Sequence, residues 1–426
     1  ICSVFILGGM TSCEDFLDKR EDVGLTEDDI FRDYYSLRGF LDQSFNQLEN
    51  VMVMDNWENG RAFVGLFADE MATTDNSSAV FTLHSGNWLS NAKSSTTFEI
   101  GNGGSTAISR SYKALRINNR IINDIDKAPL TPEQKNEILG QAYFYRSWFY
   151  FQIIKRYGGM PIIDKVFEGG DDDISRITYH ESHDWMMEDI QKAIYMLPDS
   201  WDDPNYGRPT KIAAMALKEW AQLFDASPLM QNDLNSTENK GYDTERAKSA
   251  AKSAYEVIRY MDGSKSAPYP YGLASKEEYT NVFYFKYPPV HQPEYIWVKR
   301  QFPNAANQNQ KRTIRTFWQY EDLAFGSGPD GNSMCCPSLN IVNMFDKKGA
   351  DGIYYPIDDP RSGYALDYAH KPFEDRDPRF YNNILLPGTT WGHYADGRTY
   401  YITTYKGGAA YQHMLTQKAV SYTHLT

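Results

Sequence analysis

Between Thr131 and Tyr157, apolar residues recur at Ile138, Ala142, Tyr145, Phe149 and Ile153, with Trp148 and Phe151 widening the stripe. Spacings of three and four put these side chains on one broad face, so the pattern predicts a long, mostly buried helix. Thr131-Pro132-Glu133-Gln134 supplies its start. The Thr hydroxyl can accept from the amide three residues on, Gln134 can reach back, and Pro suits the first helical position. Gly158-Gly159 ends the helix, and Pro161 prevents its resumption.

The same beat appears elsewhere. Thr26-Glu27-Asp28-Asp29 opens an earlier helix whose apolar positions are Phe31, Tyr34, Leu37, Leu41, Phe45 and Leu48. Ile108, Tyr112, Leu115, Ile122 and Ile125 predict another, in which Asn119 reads as a buried carboxamide satisfying a neighbouring backbone group. Thr178 to Leu197 is capped by Thr178 and Glu181 and stopped by Pro198; an alanine-rich helix follows Thr210, and a further one runs from Asp243 to Met261. Beyond Ser264 the texture changes to Pro, Gly, Tyr and Asn. There Glu294 to Arg300 alternates like a strand, and Pro303 to Gly328 reads as a polar loop. Asp55 to Gly104 is a second long polar stretch, rich in Ser, Thr, Asn and Gly. The expected fold is mostly α: antiparallel helices with long irregular loops and a few short strands.

Composition narrows the function classes. A chain of 426 residues can bury a large core, and its 15% aromatic content with 31 Tyr suits surfaces and interfaces as well as cores. A formal net charge of −13 with no basic stripe argues against nucleic acid. There is no Gly-x-Ser-x-Gly elbow, nucleotide loop or metal cluster, and no cofactor is implied. His180 and His183 lie three apart rather than four and read as two solvated histidines rather than a zinc site. Glu168 to Asp173 lacks the ligand spacing of a calcium hand. The adjacent Cys335-Cys336 pair reads as two buried thiols.

Tyr143-Phe144-Tyr145-Arg146-Ser147-Trp148-Phe149-Tyr150-Phe151, followed by Arg156-Tyr157-Gly158-Gly159-Met160-Pro161, closely resembles the SusD/RagB family of surface nutrient-capture lipoproteins. Asp69-Glu70, Tyr112 to Ile125, Gly207-Arg208-Pro209-Thr210-Lys211, Pro337-Ser338 with Phe345, and Asp375-Arg376-Asp377 resemble further elements of the family. The Asp375 to Arg379 run reads as a salt-bridged turn fixed by Pro378 rather than as catalytic acids. The resemblance implies a tetratricopeptide-like array. Met10-Thr11-Ser12-Cys13 resembles a lipobox, so residues 1–12 read as a signal-peptide remnant and Cys13 as the lipidated residue. Residues 13–290 would form the amino-terminal helical region and 291–418 a partial, loop-rich carboxy-terminal region. Residues 419–426 read as a non-native tail, and the family's closing "R-x-A-E-x-Y-L" helices are not found.

What the family does then sets the expected role. It is cell-surface binding of a glycan or other nutrient at the outer membrane, through a lipid anchor, and delivery to a SusC-like TonB-dependent transporter, without catalysis. A sugar offers C–H groups on one face and hydroxyls at its edge, so flat aromatics with Asp, Asn and Arg nearby suit it. On the long loops the candidates are Trp57, Asp69, Asn76, Trp88, Arg315, Trp318 and Tyr320. Two rival classes remain, a glycoside hydrolase using paired carboxylates and a helical scaffold that docks only protein.

Overall fold

The computed structural model describes residues 26–48, 68–73, 107–167, 174–231, 241–264, 270–279, 282, 292–299, 335–364, 372–384, 386, 390–393 and 399–401. Two helices open it, α1 (Glu27–Phe31) and α2 (Tyr34–Asn46), followed by the strand β1 (Met71–Thr73). Four long helices and a fifth then carry the frame: α3 (Ala107–Asp124), α4 (Pro132–Tyr157), α5 (Tyr179–Met196), α6 (Lys211–Ala226) and α7 (Thr244–Gly263). The remaining elements are short: β2 (Cys335–Pro337), α8 (Leu339–Met344), β3 (Lys347–Lys348), β4 (Tyr354–Tyr355), α9 (Pro378–Asn383), β5 (Thr390–His393) and β6 (Thr399–Tyr401). Among the described residues, sheet structure consists of three antiparallel pairs, β1–β2, β3–β4 and β5–β6. The fold is mostly α, with each long helix packed on the next in sequence. No helix among the described residues is long and apolar enough to cross a membrane.

The central helix forms as its pattern predicts. Thr131 and Gln134 complete a reciprocal capping box at α4, with Pro132 at its start. Ile138, Ala142, Tyr145, Phe149 and Ile153 are all buried, and so are Phe144, Tyr150 and Phe151 between them. Burial almost all round the axis follows from α4 having α3 on one flank and α5 on the other. At its end Gly158 adopts φ 76°, and its N–H returns to the Ile154 carbonyl at 3.0 Å. Gly159 lies so close to the Ile177 carbonyl that a Cβ there would overlap it. The glycine pair therefore serves two needs, a left-handed turn and a close chain approach.

Two buried arginines and a buried carboxamide are held by specific partners. Arg146 of α4 grips Asp189 of α5 through two bonds, Nε to Oδ2 at 2.6 Å and Nη2 to Oδ1 at 2.9 Å. Asn119 of α3 accepts from Arg146 Nη1 at 3.0 Å while its Nδ2 donates to the carbonyls of Ile163 (3.0 Å) and Lys165 (2.9 Å). The structural role expected for Asn119 is thus what the structure shows. Arg376 is treated the same way: almost fully buried, it donates to the carbonyls of Val342 and Phe345, both at 2.6 Å, and of Pro372 at 3.0 Å. Asp377 pairs with Arg379 at 2.8 Å and caps α9. The Asp375 to Arg379 run is a structural turn.

Two expectations need correction. The first predicted helix is broken at Arg32-Asp33, because the Asp33 carboxylate accepts from the Ser36 amide at 2.8 Å and starts α2 afresh. The predicted strand at Glu294 to Arg300 is irregular over its described residues, 294–299. Neighbours Ile296 and Trp297 both pack against the helical core, which a strand's strict alternation forbids.

Candidate functional site

The α5–α6 connection builds one wall of a cleft. After α5 the chain turns at Pro198, whose carbonyl accepts from Lys211 N at 2.9 Å, so the loop closes on the start of α6. A single helical turn at Asp203–Asn205 and Gly207 at φ 99° fold the intervening segment back on itself. Arg208 pins that loop to the frame. Its guanidinium forms a two-pronged pair with Asp42 of α2 (2.7 and 2.8 Å), with further bonds to Gln141 of α4 at 3.0 Å and Asn205 at 3.2 Å. Bidentate geometry of this kind fixes position as well as charge.

The opposite wall comes from two segments distant in sequence. The Gly272 amide donates to the Pro293 carbonyl at 3.1 Å, and the Ala274 amide to the Glu294 carboxylate at 2.7 Å. This couples Tyr271 to the turn at Gln292–Tyr295, where Tyr295 N reaches Gln292 O at 3.0 Å. Trp297 crosses from this wall to the first, donating its indole N–H to the Gly207 carbonyl at 3.0 Å. Its ring meets Phe144 and Trp148 of α4 edge-on, both at 4.9 Å between centroids. The aromatic chain continues from Trp148 to Trp220 at 5.8 Å and from Trp220 to Phe151 at 5.0 Å. The cleft is therefore anchored on the ring-rich face of the central helix.

The space between the walls is about 200 Å³. Trp201, Tyr206, Tyr271, Tyr295 and Trp297 give it an aromatic lining, and Ser200, Thr210 and Gln292 add hydrogen-bonding groups. Burial raises the Tyr271 phenol above its ordinary pKa, so it stays neutral. Flat rings beside hydroxyl and carboxamide groups are the chemistry that accepts a sugar ring or another small ligand with one apolar face.

Of the residues nominated on the long loops, only Asp69 is described. Its side chain is exposed, its carbonyl accepts from the Ser338 hydroxyl, and it is not among the residues lining the cleft. Trp57, Asn76, Trp88, Arg315, Trp318 and Tyr320 lie outside the described residues, as does Cys13. The cleft aromatics were missed because nothing in linear spacing brings residues 200–210 against 271–298. The one usable signal was the Gly207 to Lys211 motif, which now forms part of the site.

The histidine pair is not solvated as expected. His183 is buried and His180 half-buried, and both face the buried Asp225 of α6, with His180 Nδ1 2.7 Å from its Oδ1. Arg246 of α7 pairs with the same carboxylate, so the cluster ties α5, α6 and α7 together. Among the described residues no group of three or more His, Cys, Asp or Glu could hold a metal ion.

Comparison with known proteins bears on this arrangement. A family model described as starch-binding associating with outer membrane matches residues 15–219, and one described as the SusD family matches residues 293–424. A SusD-like protein of Bacteroides fragilis superposes with a TM-score of 0.59 at 22% identity, over 89% of this chain and 66% of that one. A SusD-like carbohydrate binding protein of the same species gives 0.55 at 17% identity, over 87% and 62%. A SusD homolog of Bacteroides thetaiotaomicron gives 0.53 at 16% identity, over 74% and 64%. The chain thus spans less than two thirds of the length of these structures, and at such identities the likeness is one of fold. None of the curated proteins matches.

Proposed function

Because the chain belongs to the SusD/RagB family, we propose that it captures a glycan at the outer-membrane surface and passes it to a TonB-dependent transporter without cleaving it. The observation that carries the reading is the aromatic cleft at the junction of the α5–α6 connection with the segments around Tyr271 and Trp297. Rings locked in place on a helical frame bind a sugar face with little ordering cost, which is what a capture protein needs. A glycoside hydrolase needs two carboxylates across its cleft, one held protonated. The described lining here is built of aromatic rings, prolines, Ile296 and Val298, hydroxyls, a carboxamide and a guanidinium already paired with Asp42.

The loop candidates Trp57, Asp69, Asn76, Trp88, Arg315, Trp318 and Tyr320 are proposed as further ligand contacts, and Cys13 as the lipid attachment site. Residues 13–290 and 291–418 would then act as frame and loop-bearing region respectively. Incubating the protein with a panel of oligosaccharides, with calorimetry for binding and chromatography for products, tests the reading. Binding without turnover is expected; products whose formation is abolished by losing one acidic side chain would sink it. If Trp88 or Trp318 is a central anchor, its replacement by Ala weakens binding by about 2 kcal/mol. Incorporation of labelled fatty acid in cells, lost in Cys13→Ala, checks the anchor.

A further inference from the structure

The charge arrangement of the cleft points to its ligand class. Resting on the glycan-capture reading, we infer that this site takes the end of a neutral saccharide and rejects acidic sugars such as uronates. The cation in the described lining is Arg208, and it is already engaged: Asp42 takes two of its N–H groups, and Gln141 and Asn205 take one each. A sugar carboxylate entering beside it would meet a neutralised pair. It would have to displace Asp42 or give up hydration with no partner in return, and an unpaired charge is the costliest group to desolvate. The whole-chain charge of −13 opposes the approach of an anion as well.

The polar tips of the rings have the same consequence. Trp201 donates its N–H to the Pro209 carbonyl at 2.9 Å, Trp297 to Gly207 at 3.0 Å, and the Tyr295 hydroxyl to Val282 at 2.6 Å. Those bonds fix the rings and leave their apolar surfaces as what they offer a ligand. Hydroxyl edges can be read by neutral partners, Ser200, Gln292 and the phenol of Tyr271. Size limits how much enters. At about 200 Å³ the space is below the roughly 300–1,000 Å³ of sites for drug-sized ligands, which suits one or two sugar rings at a chain end.

The test titrates the protein with neutral gluco-, manno-, galacto- and xylo-oligosaccharides and with oligogalacturonides, each also at high salt to screen the long-range field. Expected is binding of at least one neutral series, lost about tenfold or more in Tyr271→Ala, with the uronates rejected even at high salt. Asp42→Asn should then release the guanidinium and raise the ratio of uronate to neutral affinity about tenfold, the worth of one charge-assisted bond. Uronates binding as well as neutral sugars, or neutral binding untouched by Tyr271→Ala, overturns the inference and leaves glycan capture standing. Failure of every saccharide to bind overturns the capture reading and this inference with it. The wild-type comparison decides selectivity even if a variant folds poorly.

Discussion

The pair Arg146–Asp189 offers the sharpest test of the frame. Both side chains are almost wholly buried, with 6% and 3% of their surface exposed. Replacing Asp189 with Ala removes two charge-assisted bonds, at 2.6 and 2.9 Å, and leaves a guanidinium inside the helical layer. Asn119 Oδ1 at 3.0 Å remains, as do the rings of Trp185 and Tyr143 at 5.3 and 5.5 Å. Lys192, 3.4 Å from Asp189, is half-exposed and stays hydrated when the carboxylate goes. Bonds to charged groups are worth about 1.5–3 kcal/mol each, and breaking a buried pair costs about 3–5 kcal/mol, so a loss of about 4 kcal/mol is expected. Replacing both partners, as Arg146→Met with Asp189→Leu, removes the stranded charge. It should cost clearly less than the two single changes summed, with Asn119 losing one partner at about 1–3 kcal/mol. Urea unfolding followed by circular dichroism measures all three variants against the parent, an unchanged slope securing the comparison. A loss under about 1 kcal/mol for Asp189→Ala, or strict additivity in the double variant, would refute the reasoning, since an exposed pair behaves that way.

Burial raises the phenols of Tyr145, Tyr150 and Tyr179, Tyr150 to about 12, from the ordinary 10.0. The folded state therefore holds protons that the unfolded state releases above pH 10; stability is full below that pH and falls as pH rises toward 12. Tyrosinate absorbance rising together with loss of helical signal is the expected result, and early titration of these phenols in a still-folded protein would contradict it. Gly159→Ala should destabilise by about 1–3 kcal/mol or more, because the new methyl meets the Ile177 backbone rather than a movable side chain. A melting temperature equal to the parent's would show that the two segments are not in contact.

How far the sequence reaches depends on the range of the force involved. Thr131 with Gln134, Thr178 with Glu181, and Gly158 act within three or four residues, so those helix ends were legible and the structure has them. Asp33 acts at the same range, but an unbroken apolar beat from Phe31 to Leu48 concealed it. Ile296 and Trp297 were misread because alternation describes a strand only if one face is buried; here both side chains turn to the core.

The helical class, the aromatic central helix and the family followed from residues taken in order, since periodicity and capping are local. The cleft did not, because it exists only where Arg208 reaches back to Asp42 and Trp297 reaches across to Gly207, contacts separated by 166 and 90 residues. Such pairings are chosen by the packing of the whole helical layer. The same closure pairs Arg208 with Asp42, and so sets the charge a ligand meets.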